Sequence, residues 1–425
     1  MEKSILKLFL GIIGMRFRGK RGLFAVGSLI FMWALFLGRA SEAAAPAKSE
    51  IVFGFSAPIT GALSYAGEPS KKGYIAWAEM VNAEGGIFVK EYGKKLPVRM
   101  VYYDDKTDPT TAAKIYEKLI TQDKVDIILS PWGSSIGFAV SQIAQKYKMP
   151  VIFVWISSDP IYKQGYDYVF GLIQPASQHT WSAVDVLTDK KVVKDPPKKL
   201  YFITAKELYP MTADKGAVEY AKKSGFEVTY EEVEKGCKDF TPVITKMKSL
   251  GAEGVVTSTY YAEFFTLFRQ IQELGYRPKY LYAAHSDLMD FSDAFGPKAV
   301  EGVCAHGFWG KSWKTLGNQE FIAWHKKKWG EDPNQWTITV AAAQVMKQAI
   351  EKAGTLNSEE LKKVLTTAEF DCMLSKVKYV NEGGITNLNK LAFTGLLQWQ
   401  NGKLLFVYPE EVAEAKFRYP IPWSK

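Results

Sequence analysis

Ile51-Val-Phe-Gly-Phe-Ser-Ala-Pro-Ile-Thr-Gly61 opens as an apolar run and closes on a turn bearing Pro, Thr and Gly. Farther along, Val101-Tyr-Tyr-Asp-Asp-Lys-Thr-Asp-Pro109 repeats the pattern. Each reads as a short strand running into a turn that opens a helix. Strand, turn and helix in alternation mark a parallel sheet with crossover helices. In such sheets the turns after the strands line the ligand crevice. These turns carry Ser, Thr, Asp and Gly, with no cysteine before Cys237 and no histidine before His179. That chemistry suits grasping a small solute rather than transforming it.

The same grammar extends in both directions. Strands are expected over 51–55, 98–103, 125–129 and 151–155, with helices over 74–81 and 110–121. Asp108-Pro109 reads as an N-cap followed by Pro at the first helical position. Ile136, Ala139, Val140, Ile143, Ala144 and Tyr147 form the apolar stripe of a further helix. A second series follows, with strands over 200–204, 228–231, 254–257 and 281–284. Helices are expected late, over 318–329 and 337–353, and Asn401-Gly402 is the turn of a β-hairpin. A chain of this length exceeds one ordinary core, so two α/β lobes are expected.

The first 45 residues are of another kind. Arg16-Phe-Arg-Gly-Lys-Arg21 precedes an uncharged apolar run, Leu23 to Leu37, and small residues cluster at Ala40-Ser-Glu-Ala-Ala-Ala45. This is the layout of an export signal, with Met1 or Met15 as its start. The run is short for a permanent span, which needs roughly 20 apolar residues, so an uncleaved anchor is the weaker reading. No cysteine near the cleavage region offers a lipid anchor. Residues 1–45 hold seven Lys/Arg and two Asp/Glu of the 54 and 45 in the chain, leaving 47 against 43, or +4, for the remainder. Scattered charge of that size gives no footprint for nucleic acid. Cys237, Cys304 and Cys372 lie far apart without metal-ligand spacing and permit one disulfide at most.

Six markers in order carry a resemblance. They are Ala57-Pro-Ile-Thr-Gly61 with Gly67, Asn82-Ala-Glu-Gly-Gly-Ile87, Asp104-Asp105 with Asp108-Pro109, Ser134-Ser135, Ser157-Ser158-Asp159-Pro160, and Lys238-Asp-Phe240. With them the chain resembles the periplasmic solute-binding proteins of the branched-chain amino-acid type, which serve ATP-driven importers, over nearly all of 50–410. The resemblance implies a type I two-lobed clamp, each lobe a mainly parallel sheet flanked by helices, joined by three crossing segments. Lobe 1 would comprise 50–173 and 306–376, and lobe 2 would comprise 174–305 and 377–425. It further implies a monomer that closes over a small ligand and docks on a membrane permease, without catalysis, cofactor or metal.

A ligand carboxylate is well served by the free N–H groups and dipole of a helix N-terminus. Gly133-Ser134-Ser135 sits where strand turns to helix, and Ser157-Ser158 follows the next strand, so these turns are the candidate seat. Gly133 stands where the family often has serine. The resemblance implies that Tyr209 and Tyr260 close over the ligand from lobe 2. It also places His285 where amino-acid binders tend to carry an acid for the ammonium group, with Asp287 the nearest substitute. Trp132 and Trp155 flank the seat and either shrink the pocket or stack on a flat ligand. Branched-chain amino acid, aromatic acid and amide are all open as ligands. The Asp104, Asp105, Asp108 cluster lacks the spacing of a calcium loop and reads as capping.

Two rivals share these residues. Gly133-Ser-Ser-Ile-Gly137 fits G-x-S-x-G, the nucleophile elbow of α/β-hydrolases, with Ser135 attacking and Asp287 and His306 completing a triad. No oxyanion loop precedes it, and the motif alone is a weak warrant. A ligand-sensing regulator could use the same clamp, although no signalling domain is appended.

Overall fold

The computed structural model describes residues 48–423, so the export segment expected over 1–45 lies outside the described residues. Among the described residues, no helix is long and apolar enough to cross a membrane.

The opening strand, β1 (Ile51–Ala57), is buried along its whole length. A strand covered on both faces belongs at the centre of a parallel sheet. Helix α1 (Ser64–Ala83) follows and begins well before Tyr74, where the apolar pattern placed its start. Its early turns bury Ala66, Gly67, Ser70 and Gly73, small residues that write no apolar stripe. Gly67 is required there, because a Cβ would lie 2.1 Å from the Pro58 carbonyl oxygen. The helix can therefore lie directly on the turn that leaves β1.

Strand β2 (Val98–Asp104) pairs in parallel with β1, Ile51 opposite Val98 through Ala57 opposite Asp104. The three aspartates at its end hold turns. Asp108 Oδ1 accepts from the Thr111 amide at 2.7 Å and caps α2 (Pro109–Thr121). Buried Asp105 accepts from Ser56 Oγ at 2.7 Å, and Asp104 accepts from the Thr60 hydroxyl at 2.6 Å. Strand β3 (Ile127–Ile128) completes the order β2-β1-β3. Helix α3 (Ser134–Lys146), β4 (Val151–Phe153) and β5 (Val169–Gly171) follow. Strands β3 and β4 are shorter than the expected 125–129 and 151–155, although the Leu129 amide still donates to the Gly54 carbonyl of β1 at 2.8 Å.

The second series runs β6 (Lys199–Ala205), α4 (Leu208–Lys223), β7 (Glu227–Val233), α5 (Thr241–Ser249), β8 (Gly254–Ser258), α6 (Tyr261–Glu273), β9 (Tyr280–Ala283) and β10 (Cys304–Gly307). After α7 (Asn318–Trp329) and α8 (Val340–Ala353) come β11 (Tyr379–Glu382), β12 (Ile385–Asn389), β13 (Gly395–Gln400) and β14 (Lys403–Tyr408). A seven-stranded sheet has the order β14-β13-β10-β9-β8-β6-β7, parallel from β7 to β10. The last two strands join antiparallel through the Asn401-Gly402 turn, whose residues have φ of 53° and 73°. Two positive φ values are what a tight two-residue hairpin requires.

Four further strands form a sheet of order β11-β12-β5-β4, with Leu388 opposite Gly171. Asn389 Nδ2 also donates to the Leu172 carbonyl at 3.1 Å. Strand β12 thus pairs with a strand of the first series, β11 lies beside β12, and the chain rejoins the seven-stranded sheet at β13. His306, expected at the start of a lobe 1 segment, stands inside β10 of the seven-stranded sheet. Cys237, Cys304 and Cys372 are unpaired thiols.

Because Gly67 meets backbone rather than a movable side chain, Gly67→Ala should destabilise the fold by about 1–3 kcal/mol, the usual cost of overpacking. Denaturant unfolding followed by circular dichroism measures it.

Candidate ligand-binding site

The turns at the carboxyl ends of β3, β4 and β5 meet those of β6, β8 and β9 around a small cavity of about 20 Å³. The first series contributes Trp132, Gly133, Ser134, Trp155 and Ser157. Gly133 immediately precedes α3 with φ of 94° and ψ of 134°, a backbone conformation open to glycine and strained for any other residue. That bend places the start of α3, whose first N–H groups have no partner within the helix, at the cavity wall. Ser134 Oγ lies 3.4 Å from the amides of both Ser157 and Ser158 and accepts from each, so one hydroxyl ties the two turns together.

Three indoles form one wall. Trp336 meets Trp155 with ring centroids 4.7 Å apart and Trp132 at 5.4 Å, both edge to face. Such pairs contribute about 0.5–1.5 kcal/mol each beyond their buried area. All three indole N–H groups are buried without a hydrogen-bond partner. An indole nitrogen only donates, so each is free to bond an acceptor brought to the cavity. Leaving such a group unpaired costs about 1–3 kcal/mol.

From the second series, Tyr209 and Tyr260 line the cavity with His285 and His306. The His285 ring lies nearly parallel to Trp336, centroids 5.9 Å apart at 22°. Its Nδ1 donates to the Thr259 carbonyl at 3.0 Å. Burial holds the His285 and His179 pKa values down at about 4. His306 is pushed down further by burial and by its two histidine neighbours. The imidazoles are therefore neutral across the physiological range, and a switch of His285 near its ordinary value of about 6.5 is not available in this environment.

No carboxylate, ammonium or guanidinium belongs to the lining. Asp287, expected as a possible substitute acid, stands outside it. Both its carboxylate oxygens are buried without a partner, and burial raises its pKa to about 8. It is largely protonated at neutral pH.

Of the residues singled out from sequence, Ser135 and Ser158 also fall outside the lining. Ser135 Oγ donates to Glu207 Oε2 at 2.8 Å, reaching from α3 to the residue before α4. The triad contacts expected for the hydrolase reading are not assembled here: the Ser135 hydroxyl bonds a glutamate, and His306 Nδ1 faces the Tyr209 hydroxyl at 3.3 Å. The Ser158 hydroxyl is buried and unpartnered. Sequence reasoning missed His179, Phe308 and Trp336 altogether and met His306 only as a triad partner. Trp336 arrives from far along the chain. Asn334 Oδ1 accepts from its amide at 3.0 Å, and Ser70 of α1 donates to its carbonyl at 3.1 Å. No local motif announces those contacts; Asn334 before an aromatic residue was the one available capping signal.

Residues 50–396 match the periplasmic binding protein family. The chain belongs to that family. Leu/Ile/Val-binding protein homolog 7 of Brucella abortus (strain 2308) is 26% identical over 399 residues, spanning 91% of this chain and 98% of its own. A leucine-binding protein from Thermotoga maritima has a TM-score of 0.72 at 20% identity, covering 84% of this chain and 97% of that one. The branched-chain amino-acid transporter substrate-binding protein LivJ of Streptococcus pneumoniae, in complex with isoleucine, has a TM-score of 0.72 at 20% identity, covering 88% and 100%. A solute-binding protein of an ABC transporter from R. palustris, in complex with benzoate, reaches 0.70 at 16% identity, covering 89% and 98%. These likenesses establish the type I periplasmic binding protein fold, with mostly parallel sheets flanked by helices.

Two outcomes follow for this binding protein. Between about pH 6.5 and 4 the unfolded chain protonates His285 while the folded chain does not, so the unfolded state binds more protons and stability falls as pH drops through that window. The melting temperature of the parent should therefore fall more steeply from pH 6.5 to 4.5 than that of His285→Asn. Ser135→Ala removes a bond between the two series and should weaken ligand binding by about 0.5–1.5 kcal/mol in calorimetry.

Proposed function

We propose that this protein is the extracytoplasmic solute-binding component of an ABC importer, closing two lobes over a small carboxylate-bearing solute with a flat aromatic body. The observation that carries the reading is three buried, unpartnered indole donors on residues that line a cavity with no acid in its lining. A carboxylate supplies the acceptors that Trp132, Trp155 and Trp336 lack, and Ser134 and Ser157 with the α3 N-terminus add hydroxyl and amide donors. Tyr209, Tyr260 and His285 cover the solute from the second lobe. An α-ammonium would have no carboxylate partner in this lining, and burying an unpaired cation is costly. Of the two ligands seen in the fold relatives, isoleucine and benzoate, the aromatic acid is the better match to these walls.

Binding across the two lobes stabilises the closed form over the open one, and the closed form is the state a permease would read. Export through residues 1–45 accompanies this reading, so mature protein from the cell envelope's soluble fraction should lack them by N-terminal sequencing.

A thermal-shift panel of aromatic acids, amino acids and amides tests the ligand class, because a ligand of the native state raises its melting temperature. Benzoate-type acids should shift it and leucine, isoleucine and valine should not; the reverse pattern would defeat the aromatic assignment. Trp336→Phe keeps the wall but deletes one donor, and should weaken binding of a responding acid by about 1.5–3 kcal/mol, the range for a hydrogen bond to a charged group.

A further inference from the structure

Three of the chain's four histidines meet at this cavity, and two of them are joined through one phenol. His179 Nε2 lies 2.7 Å from the Gln174 carbonyl oxygen. Its Nδ1 lies 3.3 Å from the Tyr209 hydroxyl, which lies 3.3 Å from His306 Nδ1. His306 Nε2 is buried and has no partner.

Donor counting settles the order of protons along this row. A carbonyl oxygen only accepts, so the proton of neutral His179 sits on Nε2, leaving Nδ1 a bare acceptor. The single hydrogen of the Tyr209 phenol then goes to His179. Its oxygen is left to accept from His306, whose ring proton must sit on Nδ1. Placing that proton on Nε2 instead would set two bare nitrogens against a phenol with one hydrogen, leaving a lone-pair contact in a dry interior where an unmade bond is expensive. His285 reaches the same state independently, since its Nδ1–H is held by the Thr259 carbonyl.

We infer that the Gln174–His179–Tyr209–His306 relay is a specificity device: it fixes His306 Nε2 as a hydrogen-bond acceptor at the cavity and, with His285, selects aromatic carboxylates that carry a second, uncharged O–H or N–H donor. The ligand half of this inference rests on the aromatic-carboxylate reading above; the relay half does not. The site then has two poles. Indole N–H groups donate to the carboxylate, and imidazole nitrogens accept from a ring hydroxyl or amino group. A solute without that donor leaves His306 Nε2 buried and unpaired. Discrimination of this kind, in which a polar site rejects the analogue that cannot pair with it, exceeds what shape alone achieves. Tyr209 acts as a positioning residue, setting the tautomer of the ring beside it.

Two measurements test it. Long-range ¹H–¹⁵N correlation spectra of histidine-labelled full chain report ring tautomers directly. The expected pattern is Nε2–H for His179 and Nδ1–H for His306 and His285. In Tyr209→Phe the His306 preference for Nδ1–H should disappear, a change that loss of packing alone would not cause. Calorimetry then compares benzoate with 2-, 3- and 4-hydroxybenzoate and the matching aminobenzoates. The best hydroxy or amino derivative should bind about 3- to 10-fold more tightly than benzoate, and Tyr209→Phe should bring that ratio to within about twofold. His306 found as Nε2–H in the parent would overturn the relay, whether or not the variant folds. Benzoate binding as tightly as every derivative would overturn the selection. If none of these acids binds, the aromatic-carboxylate reading fails and takes the ligand half of this proposal with it, while the tautomer pattern still decides the relay.

Discussion

Parallel pairing is the constraint from which the rest of this structure descends. When β1, β2 and β3 run the same way, their carboxyl ends and the amino ends of the helices that follow gather at one edge. The second sheet does the same from β7 to β10. Each edge is rich in turns, N–H groups and small hydroxyl residues, and the two edges close on one another. Gly67 and Gly133 shape the first edge, the first by admitting a carbonyl against a helix, the second by turning the chain sharply into α3. The cavity is therefore a product of strand direction before it is a product of any side chain.

What fills that edge is chemically unusual in being nearly free of charge. The imidazoles are kept neutral by burial, and burial likewise raises the pKa of Asp287 outside the lining. The walls act through oriented dipoles: indole and amide N–H groups, hydroxyls and imidazole lone pairs. Fixed dipoles in a dry site are strong when matched and costly when not. In the proposed site a ligand would be judged by the placement of its donors and acceptors rather than by balancing buried ions, whose desolvation can cancel their attraction. The charged latch, Ser135 to Glu207 with Lys235 paired to the same carboxylate, lies outside the lining, where solvent is nearer.

Much of the architecture could be read from the chain alone. Apolar runs ending in Ser, Thr, Asp and Gly mark strands and their turns, Asp108-Pro109 marks a helix start, and Asn401-Gly402 marks a hairpin. These signals are local, and local sterics and capping decide them. The same locality explains the residues found at the edge: Trp132, Gly133, Ser134, Ser157, Tyr209, Tyr260 and His285 each follow a strand. The start of α1 was hidden because its buried face is built of Ala, Gly and Ser, which bury backbone rather than apolar side chains. The placement of β11 and β12 was hidden because pairing partners lie about two hundred residues apart, and a strand's own pattern does not name its neighbour.

Sequence by itself determined the fold class, the two series of strands, the capping role of the aspartates and the turns that reach the crevice, because each follows from the conformational preferences of a few adjacent residues. Only the tertiary structure decided that the Ser135 hydroxyl bonds Glu207, that Asp287 is buried outside the cavity lining, and that Trp336, His179, Phe308 and His306 complete the wall. Those facts depend on which groups are left without partners once distant segments have packed. Hydrogen-bond satisfaction and burial are properties of the assembled interior, and no stretch of chain carries them on its own.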